Sequence, residues 1–255
     1  MIKCPAGILF CGAHSIWCVM DVIRLKTVDS TNEEAKRRIR DGLVIIADEQ
    51  TGGKGRLGRA FLSAEGKGLY FSCVMRVRCA VERVSEITAR AAVSVRKAIE
   101  DTCGLNAQIK WPNDIVYGGK KLCGILTELY FEDGVPYVIL GIGINLAYDE
   151  ADFAGLSDIA VSVKQICGKA PDREKLFRTV IDEISRLFGS FPENREYYLA
   201  RFRRYCVTTG KSVNVIAGSL QKAGFAERID DDFALVVRWE DGDCTHINSG
   251  EVSIR

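Results

Sequence analysis

The chain has almost no charge imbalance: 35 basic and 34 acidic side chains leave a formal charge of +1. Binding to many phosphates needs a basic field, so this composition gives no support to general nucleic-acid binding or to adhesion on an anionic membrane. Any anion site has to be local. Histidine is nearly missing: His14 and His246 are the whole supply, and neither has neighbours at metal-ligand spacing, which argues against a histidine-built zinc site. The ten cysteines run from Cys4 to Cys244 without one CxxC pair. A chain of this length does not need disulfides to hold a core, so free thiols in a reducing cytoplasm are expected. Long apolar runs are lacking too; no segment reaches the roughly 18 to 20 residues of a membrane span. Internal repeats and low-complexity linkers are absent.

What is present is the composition of a globular protein, 47% hydrophobic and 27% charged in 255 residues, which suits one main domain with a small appendage. The first residues stand apart. Ile8-Leu9-Phe10 and Ile16-Trp17-Cys18-Val19 are weakly apolar and preceded by the single cation Lys3, without the basic region or small-residue cleavage site of a secretory signal. Met20 is therefore expected as the natural start, with residues 1–20 treated as an N-terminal extension; the N-terminal mass of the natural protein decides this.

From Asp21 the pattern is regular. Val22 to Val28 alternates as a half-buried strand, and Ser30 and Glu33 have capping-box spacing for a helix that Gly42 is expected to end. Leu43 to Ala47 and Leu69 to Met75 read as buried strands. Apolar residues recur every fourth position at Ile87, Ala91, Val95 and Ile99, with Gly104 just beyond, predicting an amphipathic helix over 85–103. Three strands follow, around Ile109, Leu122 to Tyr130 and Val138 to Ile144. Glycine-rich turns separate them, giving an expected antiparallel meander. Residues 173–206 read as two helical pieces broken around Gly189 to Pro192. After Lys211 short strands alternate with Asp- and Gly-rich turns, as in a small barrel. Without regular βαβ alternation the fold class is α+β: a mixed, largely antiparallel sheet with helices plus a small C-terminal β-barrel. The expected domains are 21–207 and 208–255.

Two segments carry the chemistry. Between Gln50 and Ala64 there are three cations, Lys54, Arg56 and Arg59, no acid, and glycines at 52, 53, 55 and 58. Glycine lets backbone N–H groups approach an anion closely, and the cations supply the counter-charge. Alone, this loop reads equally well as a solvated turn, and it is neither a P-loop nor a dinucleotide fingerprint. The second segment is Lys110-Trp111-Pro112-Asn113-Asp114 followed by Lys121 to Glu128. There Pro112 favours an extended Trp111 that could wall a pocket, and Asn113-Asp114 reads as a turn. Taken singly, Trp111 as core and Lys121 as a surface cation are the simpler readings.

In combination, and in this order along the chain, these residues resemble the biotin protein ligases. Asp29-Ser30-Thr31-Asn32 matches that family's strand-end motif, and Gly53 to Arg59 its Gly-Arg-Gly-Arg-Arg-Gly-Arg loop. Lys110 to Asp114 matches Lys-Trp-Pro-Asn-Asp, and Lys121 to Glu128 and Gly141 to Asn145 match the next two strands. Lys54 and Leu57 depart from the loop pattern, standing where it has arginines. The resemblance implies a class II synthetase-like catalytic domain with an SH3-like barrel. It implies ATP and Mg2+ as requirements, biotin as substrate, and a biotin carboxyl carrier protein or carboxylase biotin domain as partner. Lys121 and Arg56 would be catalytic; Ser30, Thr31, Asn32, Gln50, Lys54, Gly55, Arg56, Trp111, Lys121 and Gly124 would meet biotin. Gly53, Lys54, Arg56, Asn113 and Asn145 would meet ATP, and Asp114 is the one candidate metal or orienting group. With about twenty residues before the first catalytic strand, neither a helix-turn-helix domain nor operator binding is expected; the family allows a homodimer. A lipoate or octanoate ligase or transferase of similar fold is the rival, disfavoured by the Trp-Pro-Asn-Asp element together with the barrel. A nucleic-acid module is disfavoured by the neutral charge.

Overall fold

The structure is a computed structural model that describes residues 8–9, 20–153, 155–217 and 220–254. Most of the expectation for residues 1–19 lies outside them; the backbone of Ile8–Leu9 (β1) pairs with Met20 and Asp21. Strands β2 (Met20–Val28), β3 (Leu43–Gln50), β4 (Gly68–Arg76), β5 (Gln108–Lys110), β6 (Asp114–Tyr117), β7 (Lys120–Glu132) and β8 (Val135–Asn145) form with β1 one eight-stranded sheet. Its order is β1-β2-β3-β4-β8-β7-β6-β5, in which β2 and β3 run parallel and the other neighbours are antiparallel. The mixed, largely antiparallel sheet is as expected. The meander has one strand more: Asn113 turns, but Asp114 already opens β6.

Helix α1 (Thr31–Arg37) joins β2 to β3, and two expectations about it need correcting. Ser30 is its N-cap residue, yet the Ser30 side chain makes no cap hydrogen bond, and the helix stops at Arg37 instead of running on to Gly42. Gly42 has φ 77° and turns the chain into β3. Helix α2 (Ser85–Cys103) is as the spacing predicts: Ile87, Ala91, Val95 and Ile99 are buried, and Gly104 closes it at φ 69°. α2 also carries two buried arginines. Arg90 donates to the Pro192 and Glu193 carbonyls and Arg96 to the Ala107 carbonyl, clamping loops to the helix.

A reciprocal capping box does occur, at Ser162 and Gln165, where it starts the short α3 (Val163–Cys167). The long helical stretch splits into α4 (Arg173–Ser190) and α5 (Arg195–Tyr205), which pack with α2 on one sheet face over the main core. The opposite face holds a smaller cluster of Ala35, Leu43, Ile45, Val74 and Ile139 beneath α1. Strands β9 (Lys211–Ala217), β10 (Leu220–Ile229), β11 (Leu235–Arg238), β12 (Cys244–Ile247) and β13 (Glu251–Ile254) form an antiparallel sheet in the order β12-β11-β10-β9-β13. Its buried Val213, Val215 and Leu235, with Phe233 from the turn between β10 and β11, belong to the same apolar cluster as the main core.

Candidate functional site

Antiparallel pairing puts directly opposed residues on one side of the sheet. On the α1 side three rows cross β4, β8 and β7: Val74–Ile139–Glu128, then Ser72–Gly141–Leu126, then Tyr70–Gly143–Gly124. The first row lies beside α1. In the other two, glycines replace bulk, so the sheet has a bare floor at that point. A Cβ at Gly124 would stand 2.9 Å from Lys121 Cε, one at Gly143 would stand 2.5 Å from the Phe61 ring, and one at Gly141 would meet the Asn32 amide. The cavity over this floor encloses about 460 Å³ of non-atom space, part of it open to solvent.

One end of the cavity is polar. Gln50 Oε1 accepts from Thr31 N at 2.8 Å and from Thr31 Oγ1 at 3.1 Å, and Gln50 Nε2 donates to Ser63 Oγ at 2.8 Å. Ser72 Oγ stands 2.8 Å from Thr31 Oγ1 and 2.5 Å from Asn32 Oδ1. Asn32 Nδ2 donates to Glu128 Oε2 at 2.7 Å; a carboxylate only accepts, which fixes the sense of the Asn32 amide. The Ser30 hydroxyl, freed from capping, lines this end. Upstream, Arg37 holds the strand-end turn through Asp29, with Nη1 donating to Asp29 Oδ1 at 2.9 Å, and that hydrogen bond brings the Asp29 carboxyl down to about 2.

The other end is cationic. The glycine-rich loop folds over the floor as a short hairpin, with Lys54 bridged to Ala60 and a single 3-10 turn at Arg56–Gly58. Within it Leu57 takes φ 53° and is 72% exposed, an unfavourable setting for an apolar side chain. Arg56 Nη1 donates to Asn113 Oδ1 at 3.2 Å. Burial lowers the Arg56 guanidinium below its ordinary value, opposed by the charges of Asp114 and Glu251. Lys121 Nζ stands 2.7 Å from Asp114 Oδ1 and 5.8 Å from the centre of the Phe61 ring. The Asp114 contact is an ion pair without hydrogen-bond geometry, for that oxygen is buried with no hydrogen-bond donor. From the C-terminal sheet, Glu251 reaches the loop and pairs with Arg59 at 2.5 Å.

Ser30, Thr31, Asn32, Gln50, Lys54, Gly55, Arg56, Asn113, Lys121 and Gly124 therefore line one cavity. Three of the residues expected to meet biotin or ATP do not, nor does Asp114. Trp111 is 2% exposed and faces the C-terminal sheet, its Nε1 donating to Phe233 O at 3.0 Å and its backbone N to Thr208 Oγ1 at 2.9 Å, so it is a packing residue there and not a wall of the cavity. Gly53 lies under the loop, where a Cβ would stand 2.5 Å from Phe61 O. Asn145 spends its amide on the Lys121 and Val161 carbonyls at 3.3 and 3.2 Å. Asp114 is already engaged by Lys121, and no cluster of three or more His, Cys, Asp or Glu side chains suited to a metal occurs among the described residues. Phe61 lines the cavity and was not anticipated; it is the one aromatic between Thr51 and Gly68. Gly141 and Gly143, which the sequence pattern places in a strand, line the cavity too.

A polar recess and a cationic end, joined over a glycine floor and roofed by a cationic loop, have the chemistry of a binding site for a small molecule with a negatively charged end. A sequence profile of the Biotin/lipoate A/B protein ligase family matches residues 22–145. A biotin–[acetyl-CoA-carboxylase] ligase of Paracoccus denitrificans is 32% identical over 231 residues, 84% of this chain and 92% of that protein. The bifunctional ligase/repressor BirA of Bacillus spizizenii is 40% identical over 172 residues, 67% of this chain; the match spans 52% of that relative's length. Among solved structures, a biotin protein ligase from Aquifex aeolicus in complex with biotin and ATP superposes with a TM-score of 0.76 at 30% identity, over 92% of this chain and 98% of that one. The chain belongs to the biotin/lipoate protein ligase family, and within it to the biotin protein ligases.

Proposed function

We propose that this protein activates biotin with ATP and passes it to a lysine of a biotin carboxyl carrier protein. The biotin carboxylate attacks the α-phosphorus, the bond to pyrophosphate breaks, and biotinyl-5'-AMP results. The acceptor amine then attacks the carbonyl, AMP leaves, and the amine loses its proton. The observation that carries this reading is the convergence of Arg56 and Lys121, from separate elements, on the cavity that also holds Ser30, Thr31 and Asn32. Carboxylate and triphosphate repel each other, so an enzyme joining them needs fixed cations where their charges meet.

In this reading Lys121 contacts both carboxylate and α-phosphate, leaving Asp114 as its ligand-free partner. Arg56 and Lys54 hold the phosphate end, and the loop covers the adenylate against water. The ring and urea group of biotin take the polar recess, with the Ser30 hydroxyl available to them and the Phe61 ring closing the apolar side. Asn113, already in contact with Arg56, is a nucleotide contact; Gly53 and Asn145 then act from behind the loop and strand that meet ATP. Magnesium enters with ATP, held mainly by phosphate oxygens, as that ion prefers.

Among the described residues no helix is long and apolar enough to cross a membrane; a cytoplasmic enzyme is the reading that suits the free thiols and the carrier substrate. A homodimer would use the outer edge of β7 beyond Ile125, where Leu129 and Phe131 are exposed. The test is direct. The protein is incubated with magnesium-ATP, labelled pyrophosphate and biotin, and then with a carrier domain. Biotin-dependent exchange into ATP followed by label on the carrier lysine is expected; transfer of lipoate in place of biotin would overturn the assignment.

A further inference from the structure

Two carboxylates that the proposed chemistry does not use stand beside the cavity. Glu33, in the first turn of α1, accepts from Lys54 Nζ at 2.8 Å and from Lys36 Nζ at 3.0 Å. Glu128, on β7, accepts from Lys36 Nζ at 2.8 Å and from Asn32 Nδ2 at 2.7 Å. The result is one unbroken chain of contacts, Lys54 to Glu33 to Lys36 to Glu128 to Asn32, whose four formal charges cancel and whose two ends both line the cavity. Its inner members are shielded, with side-chain exposures of 26% for Glu33, 22% for Lys36 and 29% for Glu128, while Lys54 is 52% exposed.

Lys54 stands in a loop position where the family pattern has arginine. An ammonium on a four-carbon stem lacks the rigid fork of a guanidinium and loses more freedom when it is held in place. A carboxylate partner supplies the missing order. One N–H goes to Glu33 and two donors remain for a ligand. Glu33 alone would repel an incoming phosphate or carboxylate; Lys36, which bonds it at 3.0 Å, offsets that charge near the cavity, and Glu128 balances the row at its far end. The hydrogen bonds from Lys54 and Lys36 hold the Glu33 carboxyl below its ordinary value, so it stays ionised in this role.

We propose that Glu33 is a positioning residue that holds the Lys54 ammonium at the cavity mouth for the anionic end of the ligand, and that Lys36 and Glu128 tie this cation to the Asn32 amide in the polar recess. The proposal rests on the ligase reading and adds a residue to it. A loop that swings away takes Lys54 off Glu33 and releases the chain of contacts leading to Asn32, so the two halves of the cavity are linked through side chains that touch neither reacting atom.

The experiment compares the full-length parent with Glu33→Gln, Lys54→Ala and the double variant in biotin-dependent pyrophosphate exchange, with thermal unfolding followed in parallel. Glu33→Gln is expected to lower kcat/KM for ATP roughly 5- to 10-fold, as for a lost charge-assisted contact, at an unchanged unfolding midpoint. The double variant should be no worse than Lys54→Ala, because Glu33 acts through Lys54. A loss under about twofold, or losses that multiply in the double variant, overturns the proposal, since the first removes any role and the second puts Glu33 on a separate path. If the parent shows no exchange, the ligase reading itself fails. Calorimetry with inorganic pyrophosphate then still tests the cation: equal affinity for parent and Glu33→Gln overturns the inference, and weaker binding by the variant supports it.

Discussion

At the scale of single residues, the site separates side chains that hold structure from side chains left free to hold a ligand. Ser162 and Ser30 make the contrast. Both start a helix and both are buried, but Ser162 accepts from Gln165 N and donates to Tyr148 O, whereas Ser30 caps nothing. Ser162→Ala should therefore cost about 1 kcal/mol or more of folding stability, measured by denaturant titration. Ser30→Ala should leave stability nearly unchanged and weaken biotin roughly tenfold in calorimetry, the scale of one lost hydrogen bond; the reverse pattern would return Ser30 to a capping role. Arg56 and Lys121 stand at the other end of the cavity. Replacing either by alanine should slow adenylation by about 10² or more, as for losing a donor to developing charge, and near-normal pyrophosphate exchange would discard their catalytic assignment.

At the scale of elements, what the sequence made legible depended on signal length. Nineteen residues of α2 repeat an apolar position every fourth place, and its ends and stop signal match the spacing. β6 has four residues and opens on Asp114, too short and too polar at its start to show a period of two. Trp111 marks the limit for the site: an aromatic before proline is extended, but nothing local says which layer it faces, and a contact with Phe233, 122 positions on, decided it. Phe61 could have been found, since one aromatic in a long loop of glycine and charge needs a surface to cover. The turn between β2 and α1 carries its own pH signature. Arg37 brings the Asp29 carboxyl to about 2 from 3.8, so the pair stabilises the fold fully above 3.8 and loses that contribution as pH falls toward 2. The side chains are about half exposed, so the effect should be small. In denaturant titrations from about pH 6 downward, the stability gap between the parent and Asp29→Asn should narrow below 3.8. A gap independent of pH would mean that the pair contributes nothing through charge.

At the scale of the whole molecule, the C-terminal sheet shares the larger of the two apolar clusters with the main sheet and its helices. Trp111 lies against Phe233, the Phe202 and Phe233 rings meet edge to face at 5.8 Å, and Arg203 Nε donates to Ile229 O at 2.9 Å. A cut at the expected 207/208 boundary would expose Trp111 and Phe202, both now buried. The truncated chain should therefore fail to give a protease-resistant core or a cooperative melt, while the full chain unfolds in one transition. A stable fragment of residues 20–207 would show that the two sheets are independent. Glu251 adds a second tie, reaching from β13 to Arg59 on the glycine-rich loop.

The bare floor beneath the cavity has a consequence for how this fold keeps or loses its chemistry. At Gly124, Gly141 and Gly143 the shape of the cavity depends on atoms that are missing, and a lone methyl at any of them would intrude on Lys121, Asn32 or Phe61 while the backbone ladder beneath ran on intact. A descendant of this chain could thus be silenced by one small substitution and still accumulate as a well-folded, inert protein.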